Sequence, residues 1–144
     1  MKKHELVLTT LALAKGNQFT PAQLQKALFL LSQNMPSLLD EGSSFHFVPY
    51  DYGPFDKSAY EDAALLRNEG LAEISPAQFG RWNVYRATEK GVAAGLGLLE
   101  TLPKESSAYI DEVVSWVRSQ SFTSLVKSIY EAYPAMRVNS IFRE

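Results

Sequence analysis

The spacing of hydrophobic and polar positions predicts a mainly helical chain of six or seven helical segments with one small hairpin. The first helix is predicted from about His4 to Lys15. The second follows Thr20, which can cap it while Pro21 occupies the first helical position. Pro36 ends this helix. Apolar residues recur along it every three or four positions and predict one buried stripe: Leu24, Ala27, Leu28, Leu31 and Met35.

Residues 45–55 form the densest aromatic stretch of the chain. The alternation of aromatic side chains before Pro49 predicts a short extended segment, and the proline makes that segment an edge or an irregular one. Gly53-Pro54 then turns the chain into a third helix, which Asp56 or Gly53 can cap and which ends near Asn68. We expect the aromatic residues of this stretch to fill the core between the helices.

A hairpin with a long loop is predicted from two short strands, Leu71 to Ile74 and Trp82 to Ala87. Thr88 can cap a further helix from Glu89 towards Leu99, and the chain is helical again after Pro103. Three glycines of the helix after Thr88 lack the spacing and context of a phosphate-binding loop. We expect them to allow close packing against a neighbouring helix: Gly91, Gly95 and Gly97.

The C-terminal helices carry more apolar positions than one amphipathic helix needs: Val113, Val114, Val117, Leu125, Val126 and Ile129. We expect these residues to cover the core of the preceding helices, with Trp116 and Phe122 on the outside of that layer. Homodimerisation through the C-terminal helices is the alternative. A last turn or short helix is predicted from Ala135 to Phe142.

The order helix, helix, extended segment, helix, hairpin and helical tail is that of a winged helix-turn-helix. Besides Tyr60, six phrases stand out: LQKALF at 24–29, YDYGPF at 50–55, EGL at 69–71, YRATEKG at 85–91, IYEAYP at 129–134 and NS at 139–140. Together they resemble small prokaryotic winged-helix proteins of the YwgA-like group and, more distantly, the Panacea domain of SocA-type antitoxins. We therefore expect a winged-helix domain over residues 1–100 and a helical extension over 101–144 packed on it.

The resemblance implies a role in protein–protein contact, either neutralising a toxin or serving as an adaptor, and no enzyme mechanism comes with it. Composition is compatible with this interpretation. The 144 residues hold no cysteine, which excludes disulfides, iron–sulfur clusters and cysteine-based zinc sites. The formal charge of -2 is unlike the strongly basic balance typical of a nucleic-acid binder.

Charge within the third helix argues against DNA recognition by that helix. This segment contains four acidic residues and two basic ones: Asp56, Glu61, Asp62 and Glu69 against Lys57 and Arg67. A DNA-binding transcriptional regulator remains the alternative function. It would place Lys57 and Arg67 in a groove, and its backbone contacts would come from the hairpin and the position just beyond it: Arg81, Arg86 and Lys90.

Exposed aromatic residues are the candidate contacts for a protein partner, because aromatic side chains dominate binding hot spots. Tyr50, Tyr52 and Phe55 form one candidate anchor if they lie outside the core. Phe79, at the loop tip, is harder to bury than a phenylalanine on a strand and is the better single candidate for a contact residue. A toxin is one possible partner under the resemblance.

Catalytic chemistry has little support in the sequence. His4 and His46 have no partner at metal-ligand spacing, so we expect no metal, no cofactor and no catalytic residue. No targeting signal is visible, and the apolar runs fall short of the roughly 20 residues that cross a bilayer. The sequence predicts a cytoplasmic, non-enzymatic winged-helix protein.

Overall fold

The computed structural model describes residues 1–143 and is mainly helical. The six α-helices are α1 Lys3–Ala12, α2 Pro21–Asn34, α3 Ser58–Asn68, α4 Glu89–Glu100, α5 Lys104–Ser119 and α6 Phe122–Ala132. Two antiparallel hairpins accompany them, formed by β1 Val48–Tyr50 with β2 Gly53–Phe55 and by β3 Ala72–Pro76 with β4 Asn83–Ala87. Short 3-10 turns span Pro36–Leu38 and Pro134–Arg137. Within residues 1–143, no helix combines the length and apolar character that crossing a bilayer requires.

The predicted helix caps are confirmed at two positions. The Thr20 hydroxyl accepts a hydrogen bond from Gln23 N at 3.1 Å, and the Gln23 side chain accepts one from Thr20 N at 3.0 Å. This reciprocal capping box, with Pro21 at the first position, fixes the start of α2. Thr88 caps α4 through a single side-chain bond, accepting from Gly91 N at 3.0 Å.

The β1–β2 hairpin corrects the prediction of a single extended segment. Residues 48–55 fold back on themselves, pairing Val48 with Phe55, Pro49 with Pro54 and Tyr50 with Gly53. Two prolines opposite each other do not suggest a ladder in a sequence, because neither has an N–H to donate. Pro49 and Pro54 form a non-hydrogen-bonded pair of the ladder, in which neither residue has to donate an N–H, and the hydrogen-bonded pairs lie on either side.

The core is built around α1, which packs against α3 and α4, and around α2, which packs against α5. Residues 6–12 of α1 are all buried. The hydroxyls of Thr9 and Thr10 donate to Leu6 O at 3.0 and 2.8 Å, so these polar side chains are satisfied inside the helix.

The tail residues are buried in the same chain, as expected: Val113, Val114, Val117, Leu125, Val126 and Ile129. Trp116 and Phe122 remain exposed on the outside of that layer. The last predicted helix is shorter than expected, because regular structure after Pro134 is limited to one 3-10 turn that ends at Arg137.

One of the three glycines in α4, Gly95, allows close packing against a neighbouring helix, as predicted, while Gly91 allows close approach to the backbone of Leu71 before β3. A Cβ on Gly91 would collide with Leu71 O, and one on Gly95 would collide with the Ala12 side chain. A Cβ on Gly97 would meet nothing within 4 Å, so this third glycine has no such role. Close contact between α4 and α1 therefore depends on Gly95.

Candidate functional site

A cavity of about 890 Å³ lies between the first half of α2, the β1–β2 hairpin, the β3–β4 loop and the start of α6. Six aromatic residues line this aromatic cavity: Tyr50, Tyr52, Phe55, Tyr60, Trp82 and Phe122. Four of them keep between 41% and 50% of their surface exposed, namely Tyr50, Tyr52, Trp82 and Phe122. Apolar surface of this extent around a concavity is typical of a binding site.

Ring contacts hold the cavity's aromatic side chains in place. Tyr50 stacks on Phe55 with ring centroids 4.7 Å apart, and Tyr52 meets Phe122 edge-on at 5.2 Å. Such pairs restrict side-chain rotation, so less conformational entropy is lost when a ligand binds.

The side chain of Gln25 fixes the hairpin to α2. Its amide nitrogen donates to Asp56 O at 2.9 Å, and its amide oxygen accepts from Asp56 N at 3.0 Å. Gln25 is 2% exposed, so both bonds are shielded from water. Asp56, the residue directly after β2, is therefore held against α2.

The carboxylate of Asp56 bonds to the first turn of α3. One oxygen accepts from Ser58 N at 2.9 Å, although the N-cap position itself is Lys57, which makes no side-chain cap bond, and the other accepts from His46 N at 2.6 Å. Gly53, the other predicted cap, lies instead in β2. Burial alone raises the pKa of Asp56, but the hydrogen bonds from His46 and Ser58 outweigh this effect and bring it below the ordinary value.

The C-terminal segment holds the hairpin from the other side. Asn139 donates its side-chain amide to Pro49 O at 3.2 Å. Asp51 O accepts from Ser140 Oγ at 3.3 Å and from Ile141 N at 2.9 Å. The hairpin is thus bonded to α2 at one end and to residues 139–141 at its turn, which makes this wall of the cavity preformed.

Lys26 is a charged residue buried in the cavity lining. It is 4% exposed, and burial lowers its pKa to about 8. Among residues 1–143, no group lies within hydrogen-bonding or ion-pair distance of its Nζ. At pH 7 the amine is still mostly protonated, so the cavity contains an uncompensated positive charge.

Gly53 lies beside this lysine. A Cβ placed on Gly53 would lie 3.5 Å from Lys26 Cε and 3.5 Å from the ring of Tyr130, in the space where α2, α6 and β2 meet. The φ of Gly53 is +109°, a conformation that residues with side chains rarely adopt. The Gly-Pro turn predicted here is therefore the start of β2, and its backbone conformation, rather than lack of space, favours glycine at position 53.

Three of the four predicted partner residues come together in the structure. Tyr50, Tyr52 and Phe55 line the aromatic cavity, where Tyr50 and Tyr52 are exposed and Phe55 is half-buried. Phe79 is 79% exposed in the β3–β4 loop, outside the lining. The expectation that this whole stretch fills the core is therefore wrong for Tyr50 and Tyr52, because the hairpin places their rings at the cavity surface, where each keeps two-fifths or more of its surface exposed.

The predicted nucleic-acid residues are spread over two regions. Lys57 and Arg67 are exposed on and just before α3, and Arg81 and Lys90 are exposed on the β3–β4 loop and at the start of α4. Arg81 also lines the aromatic cavity. Arg86 is half-buried, and its Nε has no hydrogen-bond partner among the described residues.

The surface of α3 is less acidic than its sequence. Asp56 accepts hydrogen bonds from Ser58 N at the start of the helix and from His46 N before β1, and Asp62 is half-buried with burial raising its pKa. The exposed charges that remain are balanced: Lys57 and Arg67 against Glu61 and Glu69.

Among residues 1–143, neither histidine forms an ion pair with an acidic side chain, although the charge of His4 acts on Asp62 and partly offsets the burial that raises the pKa of that carboxyl. His46 is exposed beside a second cavity of about 330 Å³, and its backbone N–H rather than its ring bonds to Asp56. Within the described part of the chain, no group of three or more His, Asp or Glu side chains has the arrangement of a metal site.

Lys26 and Gln25 were missed by sequence reasoning. Both lie off the apolar stripe of α2, where a polar side chain is expected to face water. The sequence pointed to their burial only indirectly. An aromatic stretch as dense as 45–55 needs a surface to pack on, and the side of α2 that carries Gln25 and Lys26 provides it.

Comparison with models of known protein families found no match for this chain, and a search among proteins of curated function also found none. The resemblance to the YwgA-like group therefore stays a prediction that depends on the phrases quoted above.

Proposed function

We propose that this chain is a non-enzymatic winged-helix protein that binds a segment of a partner protein in the aromatic cavity. The observation that carries the proposal is the concentration of exposed aromatic side chains around one concavity. Residues of this type supply most of the energy at protein interfaces, particularly when they surround a pocket. Binding of a partner segment in this cavity is the activity that an antitoxin-like or adaptor role requires.

The element order supports the winged-helix part of this proposal. Between α1 and α2, Phe19 forms an isolated bridge with Tyr85 of β4, in which Phe19 N donates to Tyr85 O at 2.7 Å and Tyr85 N donates to Phe19 O at 3.0 Å. A short strand before the second helix that joins the hairpin is typical of winged helices. On this interpretation the β1–β2 hairpin is an insertion between the second and third helices.

Contact between two of the resembling phrases supports membership of the YwgA-like group. The NS phrase at 139–140 bonds to the backbone of Pro49 and Asp51, the latter within the YDYGPF phrase. Residues that resemble one family and also meet in space form a single structural unit. The resemblance then concerns the hairpin and its support, which is the wall of the proposed binding site.

Affinity capture from the native cells tests the proposal. We expect the Tyr52→Ala/Phe122→Ala variant to lose a protein that the wild type retains, because both rings flank the cavity opening. Trp116→Ala is the matched control, since Trp116 is an exposed aromatic residue outside the cavity lining. Equal capture by all three proteins would contradict the proposal. Phe79→Ala shows whether the loop tip contributes to the same interface.

A DNA-binding transcriptional regulator is the second candidate, and the balanced surface of α3 favours it more than the sequence did. In a salt titration it predicts tight DNA binding that weakens steeply with salt and is lost in Arg81→Ala/Arg86→Ala. Binding that is weak at low salt, or unaffected by these changes, would reject it.

A further inference from the structure

Lys26 holds a charge in a place where the protein itself does not balance it. Lys26 is only 4% exposed, yet no acceptor among residues 1–143 lies within hydrogen-bonding or ion-pair distance of its Nζ. A buried charge without a counterion is unfavourable for folding, and groups of this kind concentrate at functional sites. The missing counterion is therefore expected from a bound molecule.

We propose that the aromatic cavity takes a carboxylate from an acidic residue of the partner protein, presented between apolar side chains, and that Lys26 is its counterion. This inference rests on the proposed function and specifies the chemistry that the partner must bring. The partner segment places its carboxylate at Lys26 Nζ and its apolar neighbours against Tyr52 and Phe122.

Charge favours a single carboxylate over a phosphate group. The buried part of the site offers one positive charge, whereas a phosphate monoester carries about −1.5 to −2 at pH 7. The N-terminus of α2 also lines the cavity, but it has few free backbone N–H groups to donate to an anion. Pro21 has no N–H, and the N–H of Gln23 already donates to Thr20.

The opening of the cavity fits the same ligand. Arg81 and Asp51 are the other charged residues of the lining, and they balance each other formally, which leaves Lys26 as the unpaired charge. The remaining surface near the opening is mostly aromatic. A free, strongly hydrated anion gains little from such surface, whereas a carboxylate flanked by apolar side chains uses both parts of the site.

Selection of displayed random peptides on the full chain tests this inference. We expect the bound peptides to share an Asp or Glu between apolar residues. A synthetic copy of one selected peptide is then compared with its Glu→Gln (or Asp→Asn) counterpart. For the wild type, the neutral peptide should bind at least tenfold more weakly, which corresponds to about 1.4 kcal/mol.

Lys26→Met should abolish the difference between the two peptides, while Lys57→Met, which removes an exposed lysine outside the cavity lining, should preserve it. Thermal unfolding of each variant confirms that it is folded.

Phenylpropionate and inorganic phosphate are then added as competitors of the bound peptide. A phosphate that displaces the peptide more effectively than phenylpropionate would overturn the assignment. So would peptides that bind independently of their carboxylate, or the recovery of no peptide at all.

The two proposals fail in different ways. Partner capture that depends on Tyr52 and Phe122 but is unchanged in Lys26→Met would reject the carboxylate and keep the binding function. Capture that is insensitive to all three positions would reject the binding function, and the carboxylate with it.

Discussion

A single buried amine shapes the behaviour of this protein at the residue scale. Burial lowers the pKa of Lys26 from 10.5 to about 8. At neutral pH the side chain is charged in both the folded and the unfolded chain, so the folded state bears the whole cost of removing it from water. The difference between the two pKa values corresponds to roughly 3 kcal/mol.

We predict that Lys26→Met raises the free energy of unfolding by roughly 2–3 kcal/mol at pH 7, because methionine fills a similar volume without a charge. Between about pH 8 and 10.5 the unfolded wild type binds more protons than the folded one, so its stability rises with pH and the advantage of the variant shrinks. Urea unfolding at pH 7 and 10 measures both effects.

Lys57→Met is the control for this prediction, since an exposed lysine should change stability by less than about 0.5 kcal/mol. The other titratable groups of the cavity are Asp51, Arg81 and the tyrosines, among which burial raises the pKa of Tyr60 to about 12. They are common to all three proteins, so the comparison isolates Lys26. A stability difference that is constant with pH would show that Lys26 is not the group responsible.

Individual elements of the fold owe their positions to specific close contacts. In α4, Gly95 faces Ala12 and Leu8 of α1, whereas Gly97 faces open space two residues later. The same substitution at these two positions therefore separates packing from helix propensity.

We predict that Gly95→Ala lowers the free energy of unfolding by about 1–3 kcal/mol, because its methyl group forces α4 away from α1. Gly97→Ala should raise it by up to about 1 kcal/mol, since alanine is the better helix former and nothing obstructs it. Chemical denaturation of both variants provides the measurement. Changes of the same sign would contradict the assigned contacts.

The β1–β2 hairpin depends on Gln25 for its attachment to α2. We predict that Gln25→Ala increases amide hydrogen exchange in residues 48–56 while α1 stays protected, because the change removes both bonds to Asp56. Hydrogen-exchange mass spectrometry measures the effect. Gln33→Ala, at an exposed position on the same helix, should leave exchange unchanged. Uniform protection in both variants would mean that residues 139–141 suffice to hold the hairpin.

At the scale of the whole molecule, one hydrophobic cluster joins residues of α1 through α4 with those of α5 and α6. The division into residues 1–100 and 101–144 therefore follows the order of elements along the chain, while the core is shared. Helix α5 covers α2, whose buried residues include Leu24, Leu28 and Leu31.

We predict that residues 1–102 alone do not fold cooperatively, since removal of α5 and α6 leaves the apolar surface of α2 in water. Circular dichroism and urea unfolding of this fragment, beside the full chain, test the point. A single cooperative transition in the fragment would show that the first part is an independent domain.

Local signals determined much of the fold from the sequence alone. The caps at Thr20 and Thr88 and the stripe of α2 were predictable, because capping and amphipathic spacing act within a few residues of the chain. The apolar tail was also correctly assigned to the core, since its residues had to be covered.

Only the tertiary structure decided the site. Lys26 and Gln25 occupy positions that look solvent-facing along α2, and they are buried because the hairpin closes over them. That hairpin pairs two prolines and takes its support from residues nearly ninety positions later in the chain. No local pattern encodes such contacts, because burial of a polar side chain is fixed by what packs on it and not by its own helix.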